Sequence, residues 1–434
     1  MQDINNKIPL FTILPFFLLL LSIAVLPFIR KRFWKKNKNK LVVVSIFCFP
    51  VVIYLLLNGL SSRLYEAVLF DYIPFIILLG SLFTITGGIF LSGDIEATPA
   101  VNTMFLGIGA LLSSIMGTTG AAMLLIRPLI QTNKERTLKV HTILFFIAVV
   151  ANCGGLLTPL GNPPLLILYL RGAPFSWFLN LFGEWLTTNA LLLIIYFLVD
   201  SYYHKKEPAY ALERDRTNIS PLKLKGRINF IFIIGVVLSV AFINNRYIGF
   251  ISHNHYYSFI REGVIIAMAV LSLLFTPRLI RDSNNFSWEP IKEVGYIFLG
   301  IFITMVPCII YLESNSKSLG ITEPFQFYYL SGLLSSFLDS APAALVFHSL
   351  ALGIKGSYAG LIVAGIPEIL LRAISVGATL FGGFTYIGNG PNFMVKAVAE
   401  SSNIKLPGFF GYIFKFSLLV LLPVYILIQI LFMR

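Results

Sequence analysis

The sequence predicts an all-α polytopic membrane protein made of two inverted repeats, each with five transmembrane spans plus one re-entrant hairpin, and with broken helices at the midplane. Three observations lead there. The chain says a pair of phrases twice: LLSSIMGTTGAA at 111–122 and LLSSFLDSAPAA at 333–344, each followed some way on by GGLLTPLGN (154–162) or GGFTYIGN (382–389). Duplicated polar phrases broken by Gly and Pro, set in apolar sequence, point to an inverted-repeat transporter and its binding site. Only 12% of the residues are charged and 57% are hydrophobic, whereas a soluble domain carries about 25% charged residues. The excess of Lys and Arg gathers in short loops beside apolar stretches, which is the positive-inside pattern and not a nucleic-acid-binding face.

The loops set the order of the elements. The first span, Ile8 to Ile29, is about the ~20 residues a bilayer needs and lacks a small-residue cleavage site, so it reads as a retained helix. The RKRFWKKNKNK segment that follows carries seven basic residues, which puts the amino terminus outside. A second span from Leu41 to Leu60 leads to SSRLYEAVLFDY, read as an outer loop, and a third runs from Ile73 to Leu91. Residues 101–130 have cytoplasmic flanks on both sides, so they enter and leave by one face as a hairpin with its tip near Gly117 to Gly120. Residues 142–170 form a crossing broken at 153–164, RGAPFSWFLNLFGEW an aromatic interfacial arm, and Leu186 to Val199 the last span of the first repeat (1–200).

A basic cytoplasmic linker, 201–228, precedes the second repeat (229–434). There the order recurs: spans at Asn229 to Asn244, Gly263 to Thr276 and Val294 to Tyr311, a hairpin at 326–352 with its tip near Asp339 to Pro342, a broken crossing at 367–398, and a final span from Phe409 to Met433. An odd number of spans per repeat turns the second copy upside down, so the two tips approach the midplane from opposite faces.

Lipid tolerates unwound backbone only where protein or a water-filled cavity satisfies it, so four matched interruptions predict one shared site. Freed carbonyls and short polar side chains suit a hard cation such as sodium, and half-helix amino termini suit an anion. The oxygen ligands expected are Thr118, Thr119, Thr158, Asn162, Ser340, Thr385, Asn389 and Asn392. Gly117, Gly120, Gly161, Gly388 and Gly390 are expected to let the backbone turn and approach. Pro159, Pro163, Pro164, Pro342 and Pro391 each remove a backbone donor, which is hard to accommodate inside a helix. Close packing of small residues is the competing explanation for any one such stretch, but not for a duplicated TxxGN with proline beside it.

Asp339, at a hairpin tip deep in the membrane, is the expected proton- and ion-coupling carboxylate. Desolvation favours its neutral form and a bound sodium ion its charged form, so it can exchange one for the other. Its structural alternative is to cap the helix that follows. Glu368 and Arg372 have ion-pair spacing; Arg127 and Lys396 read as snorkelling at the cytoplasmic face, and Asp94 and Glu96 as solvated there. His141 is placed in a cytoplasmic loop, and His253 and His255 in an outer one, without a ligand set. Cys48, Cys153 and Cys308 show no disulfide or zinc pattern and read as packing residues.

MGTTGAAMLLIRPLI (116–130), ANCGGLLTPLGNPPLLILYLRGAPF (151–175), FLDSAPAALVF (337–347) and GGFTYIGNGPNFMVKAVAE (382–400) resemble the ion transporter superfamily, most closely its NhaD-like sodium/proton antiporter branch, often labelled citrate-transporter-like. The resemblance implies a two-repeat fold whose hairpin tips and unwound helices form the ion site and move as an elevator-like transport domain. The chain departs from the family pattern at Asn162, where TPLGDPP is expected, and at Ser340 and Ala343, where LDNAPT is expected.

The expected function is export of sodium, or lithium, in exchange for protons by alternating access. The alternative is sodium-coupled uptake of a di- or tricarboxylate such as citrate. No HExxH, nucleophile elbow or phosphate loop stands in a workable context, so the chain reads as no enzyme. No resident cofactor is expected beyond the transported sodium. The expected partners are the bilayer, Na+ and H+, with no nucleic acid and with room for a homodimer. The expected location is the bacterial inner membrane, as a multi-pass protein.

Overall fold

The structure, a computed structural model, describes residues 8–34, 36–244, 247–249, 255–354 and 360–433. It is 78% helical, and among the described residues nine helices are long and apolar enough to cross a membrane. His253 lies outside the described residues.

Helix α1 (Leu14–Ile29) leads to α2 (Asn37–Leu57) and α3 (Ser61–Thr86). The segment SSRLYEAVLFDY, predicted as a loop, is instead the start of α3, including a π-helical stretch at Ala67–Tyr72. It holds neither Gly nor Pro, and the turn is made before it. Leu60 N–H bonds Leu55 O (2.8 Å) and Gly59 N–H bonds Leu56 O (3.3 Å) around a left-handed Gly59 at φ 71°, a Schellman stop. Helix α3 ends at Thr86, short of the predicted Leu91, and β1 (Phe90–Asp94) follows.

Helix α4 (Pro99–Thr132) is two arms joined at Gly117, whose φ 81° and ψ 150° no residue with a side chain adopts readily. Asn102 near its start and Asn133 just past its end exchange amide hydrogen bonds of 3.0 and 2.9 Å. A straight helix would hold residues so far apart in sequence about 46 Å from each other. The segment therefore doubles back, as the hairpin reading predicts.

Next come α5 (Val140–Val149), an unwound stretch to Asn162 containing a 3-10 turn, α6 (Pro163–Leu170) and α7 (Phe182–His204). The predicted linker 201–228 is folded, with α8 (Ala209–Thr217) and β2 (Ser220–Lys225), which pairs antiparallel with β1. Helices α9 (Asn229–Phe242), α10 (Phe259–Phe275) and α11 (Glu289–Asn315) follow. The second hairpin is α12 (Pro324–Phe337) and α13 (Ser340–Ile354), with Phe327 and Phe347 edge-to-face across its arms at 6.1 Å. A two-residue ribbon, β3 (Ile362–Val363) and β4 (Ile366–Pro367), precedes α14 (Glu368–Phe381), a second unwound stretch to Asn389, α15 (Gly390–Ser401) and the last span α16 (Phe409–Phe432). Neither ribbon was expected from the sequence.

Helix α11 packs on α1 and α2, while α10 packs on α3 and α9. Phe75, Phe298 and Phe302 stack at that junction, with Phe75 and Phe298 at 4.7 Å. The first hairpin packs on the first unwound stretch and on α3, and the second packs its α12 on α14 and its α13 on α11. The three cysteines are free and buried, as expected.

Polar chemistry closes the mouth of the first hairpin. Arg136, 1% exposed at its side chain, bonds Asp200 (2.7 Å) and approaches Glu207 (3.5 Å), both fully buried at their side chains. Asp200 also accepts from Asn102 (3.2 Å) and Tyr196 (3.1 Å) and pairs with His141 (2.8 Å). His141 therefore belongs to a network on α5 and not to a loop. Asp94, predicted as solvated, is 5% exposed and pairs with Lys134 at 2.7 Å, because that lysine is folded back over it from the far end of the hairpin. Glu96 stays at the surface with Arg216 at 3.0 Å.

Burial alone would raise the Glu207 carboxyl. Hydrogen bonds from the Thr137 hydroxyl and from the N–H groups of Thr137 and Leu138, together with Arg136, outweigh it and hold the group below its ordinary value. A depressed carboxyl stabilises the fold above its ordinary value of 4.5 and loses that contribution as pH falls through the folded value. Thermal unfolding of purified protein should thus show stability declining below that pH, with a shallower slope in Glu207→Gln; identical slopes would remove Glu207 from the clamp. Arg136→Ala strands two buried carboxylates and should cost about 3 kcal/mol, at the low end for a broken buried pair because Asp200 keeps its other donors.

Candidate functional site

Each unwound stretch docks its own hairpin in the same way. The hydroxyl of Thr158 donates to Ser114 O on the first hairpin, and that of Thr385 to Ser336 O on the second. Thr158 Oγ1 also accepts Leu160 N–H (3.2 Å), and Thr385 Oγ1 accepts the N–H groups of Ile387 and Gly388 (both 3.2 Å). The Thr385 hydroxyl is thereby saturated: its proton and both lone pairs are committed to the backbone. Thr118 N–H bonds Gly161 O at 2.8 Å, fastening the first tip to the first break.

Both breaks end on an asparagine in extended conformation, Asn162 (φ −144°, ψ 143°) and Asn389 (φ −151°, ψ 139°). An asparagine at a helix start ordinarily caps it. Neither does so here; both amides turn inward. Asn389 Nδ2 lies 3.0 Å from Ala151 O and 3.1 Å from the side-chain oxygens of Asn152 and Asn162. Asn152 Nδ2 donates to Asn392 Oδ1 (2.7 Å), and Asn392 Nδ2 donates to Gly382 O (2.8 Å) and Thr385 O (2.9 Å). Four buried amides thus join the two breaks into one centre.

The freed carbonyls are met from neighbouring helices. Gly154 O accepts from Trp185 Nε1 (2.9 Å) and Ser114 Oγ (2.5 Å); Gly383 O and Phe384 O accept from Tyr412 (2.8 Å) and Ser417 (2.7 Å). Among the described residues, two buried oxygens of these segments have no protein partner: Asn389 Oδ1 at the amide junction and Ser340 Oγ at the second hairpin tip. Asp339 is half-buried at the start of α13, where its Oδ1 accepts Ala341 N–H at 3.2 Å. It therefore does cap the helix, yet takes part in none of the ion pairs among the described residues.

The structure thus brings Asn162, Asn389 and Asn392 together, ties Thr118, Thr158 and Thr385 to the hairpins, and leaves Thr119 half-buried outside these bonds. Asn152 was not foreseen; its only signal is an amide in an apolar run just before Gly154 and Gly155. The glycines divide. Gly117 supplies a positive φ, and a Cβ on Gly161 or Gly388 would lie 2.1 or 2.7 Å from a facing carbonyl oxygen, of Gly155 and Gly382 respectively. Gly120 instead gives way to Thr86 of α3, and Gly390 is exposed with nothing near it, so neither serves the turn predicted for it. Pro163 and Pro391 open helices, where a missing N–H leaves no bond unmade.

Charges nearby are engaged. Arg372 binds Glu368 (3.0 Å), as its spacing predicts, and also Glu184 of α7. Lys396 lies over the Tyr386 ring at 4.3 Å and 3.8 Å from Glu400. Arg127 reaches the side-chain oxygen of Asn285 at 3.1 Å.

Residues 5–433 match the family model described as "Putative citrate transport". The chain belongs to this family. Its helices make it a multi-pass integral membrane protein, in a family whose description is one of transport. It is also similar to Inner membrane protein YbiR of Escherichia coli (strain K12), 33% identical over 116 residues, which is 24% of this chain. The matched stretch spans 31% of that relative's length.

The glycine geometry yields a contrast. Gly161→Ala should wreck the first break and prevent recovery of a monodisperse membrane protein, because backbone faces the new methyl. Gly390→Ala should leave yield and melting temperature unchanged. Equal behaviour of the two on size-exclusion chromatography would contradict the packing described.

Proposed function

We propose that this family member is a sodium/proton antiporter, exporting Na+ in exchange for H+ through alternating access to the amide-lined centre. The observation that carries this reading is a membrane carboxylate without an ion-pair partner, Asp339, on the same hairpin tip as an unpartnered buried hydroxyl, Ser340 Oγ. A carboxylate and a free hydroxyl oxygen at one tip suit a small hard cation. The cation and a proton on Asp339 compete for one negative charge, so each is bound only when the other has left. Lithium, smaller and equally hard, fits the same ligands.

The reading includes two inverted repeats, 1–200 and 229–434, separated by the basic segment 201–228. Matched tip, threonine anchor and terminal asparagine in both halves support it, as does reciprocal packing of α2 on α11 and α3 on α10. Basic loops put the amino terminus outside, in a bacterial inner membrane.

A second reading, sodium-coupled symport of a di- or tricarboxylate, is favoured by the family description. Against it, Arg372 and Lys396 are held by carboxylates and a ring, whereas a carboxylate substrate calls for a cationic clamp. Proteoliposomes decide between the two. Under the antiport reading, sodium-22 flux follows an imposed pH gradient and falls to the protein-free background in Asp339→Asn. Sodium-driven accumulation of labelled citrate without proton movement would replace it with symport.

A further inference from the structure

We propose a second site for a monovalent cation, beside the first break and separate from Asp339, built on Glu184 and Thr188 of α7. It deepens the sodium-binding reading above and rests on it for the identity of the ion.

Glu184 is fully buried, as few carboxylates are inside a membrane protein without a task. Its Oε1 takes Arg372 Nη1, and Arg372 also donates from Nη2 to Glu368 Oε1 at 3.0 Å. Two carboxylates share one guanidinium, so the group carries an excess negative charge where water is scarce. The other oxygen, Glu184 Oε2, is buried and accepts nothing from the protein.

Thr188 stands one helical turn on, also fully buried, and its Oγ1 has no partner either. Among the described residues, buried Thr132 and Thr379 share this state, but it is the less common one. Membrane hydroxyls in helices normally bond the carbonyl one turn back, as Ser113, Thr304 and Ser375 do at 2.7, 2.8 and 2.7 Å. Thr188 leaves Glu184 O alone. Residues at i and i+4 lie one above the other on a helix, which places Thr188 and Glu184 on one face of α7. A charged oxygen and a hydroxyl oxygen on one face, both dry and both unused, are a partial coordination sphere for a hard cation.

The position fits a transport function. One residue on from each along α7, Trp185 donates to Gly154 O of the first break, and Asn189 Nδ2 reaches Cys153 O at 3.4 Å with its own Oδ1 unpartnered. The proposed site therefore borders the unwound segment that carries Asn152.

Equilibrium binding of sodium-22 to purified full-length protein tests this. Wild type should bind a second equivalent of sodium per chain, and Glu184→Gln should halve saturable binding. Glutamine keeps the shape, and Arg372 keeps Glu368, so charge is balanced and folding is expected to survive. Thr188→Val should preserve capacity but weaken one component on the order of tenfold, as loss of one ligand to an ion implies, and it carries the test should Glu184→Gln misfold. Capacity and affinity unchanged in both variants would overturn the second site while leaving the central one standing. Loss of the remaining equivalent in Asn389→Ala would assign that one to the centre. No saturable sodium binding by wild type would overturn both this site and the antiport reading. Binding that halves in Glu184→Gln, in a protein that exchanges no protons, would support the site and reject antiport alone.

Discussion

A main chain that leaves the helix inside lipid must find every lost hydrogen bond within the protein, and the interior of this molecule is arranged around that constraint. Two stretches unwind, 150–162 and 382–389, and each is satisfied by a threonine that hooks a hairpin and by hydroxyl or indole donors from α7 and α16. Amides complete them: Asn389 donates across to Ala151 O of the first break, while Asn392 donates to Gly382 O and Thr385 O of its own. Asn152 donates to Asn392 and accepts from Asn389, and Asn162 accepts from Asn389, so the two breaks meet in one junction.

Much of this was legible in the sequence because the residues that permit unwinding are conspicuous against an apolar background. TPLGN and TYIGN stand out, and the helix-opening prolines and close-packed Gly161 and Gly388 lie where such geometry needs them. The first hairpin was readable from the duplication and from the cytoplasmic placing of both flanks of 101–130. What could not be read was pairing over long separations. Glu184 looks like a headgroup-facing acid in an aromatic arm until Arg372 arrives from another helix; Asp94 looks solvated until Lys134 folds over it. Asn152 has the same character, since an isolated amide in a helix carries no sign of the partner it will meet. Local propensity misled once, at SSRLYEAVLFDY, where polar residues suggested a loop but the Asn58–Gly59 stop had already made the turn.

Charge is kept to a few sites, each with its own job. The mouth of the first hairpin is closed by a compact network around Arg136, while the amide junction is uncharged and the second hairpin tip carries one carboxylate at a helix start. On the antiport reading, neutral ligands would hold the ion weakly enough to release it, and that acid would make the release responsive to protons.

The amide junction also bears on fidelity. Because Asn389 and Asn392 grip Asn152 while the threonines grip the hairpins, a shift of either tip is relayed through buried hydrogen bonds to the opposite half. Such a linkage behaves like an interlock: one entrance cannot loosen without tugging on the other. A membrane carrier with independent entrances would leak its gradient each time both happened to part, and this centre is tied against that accident.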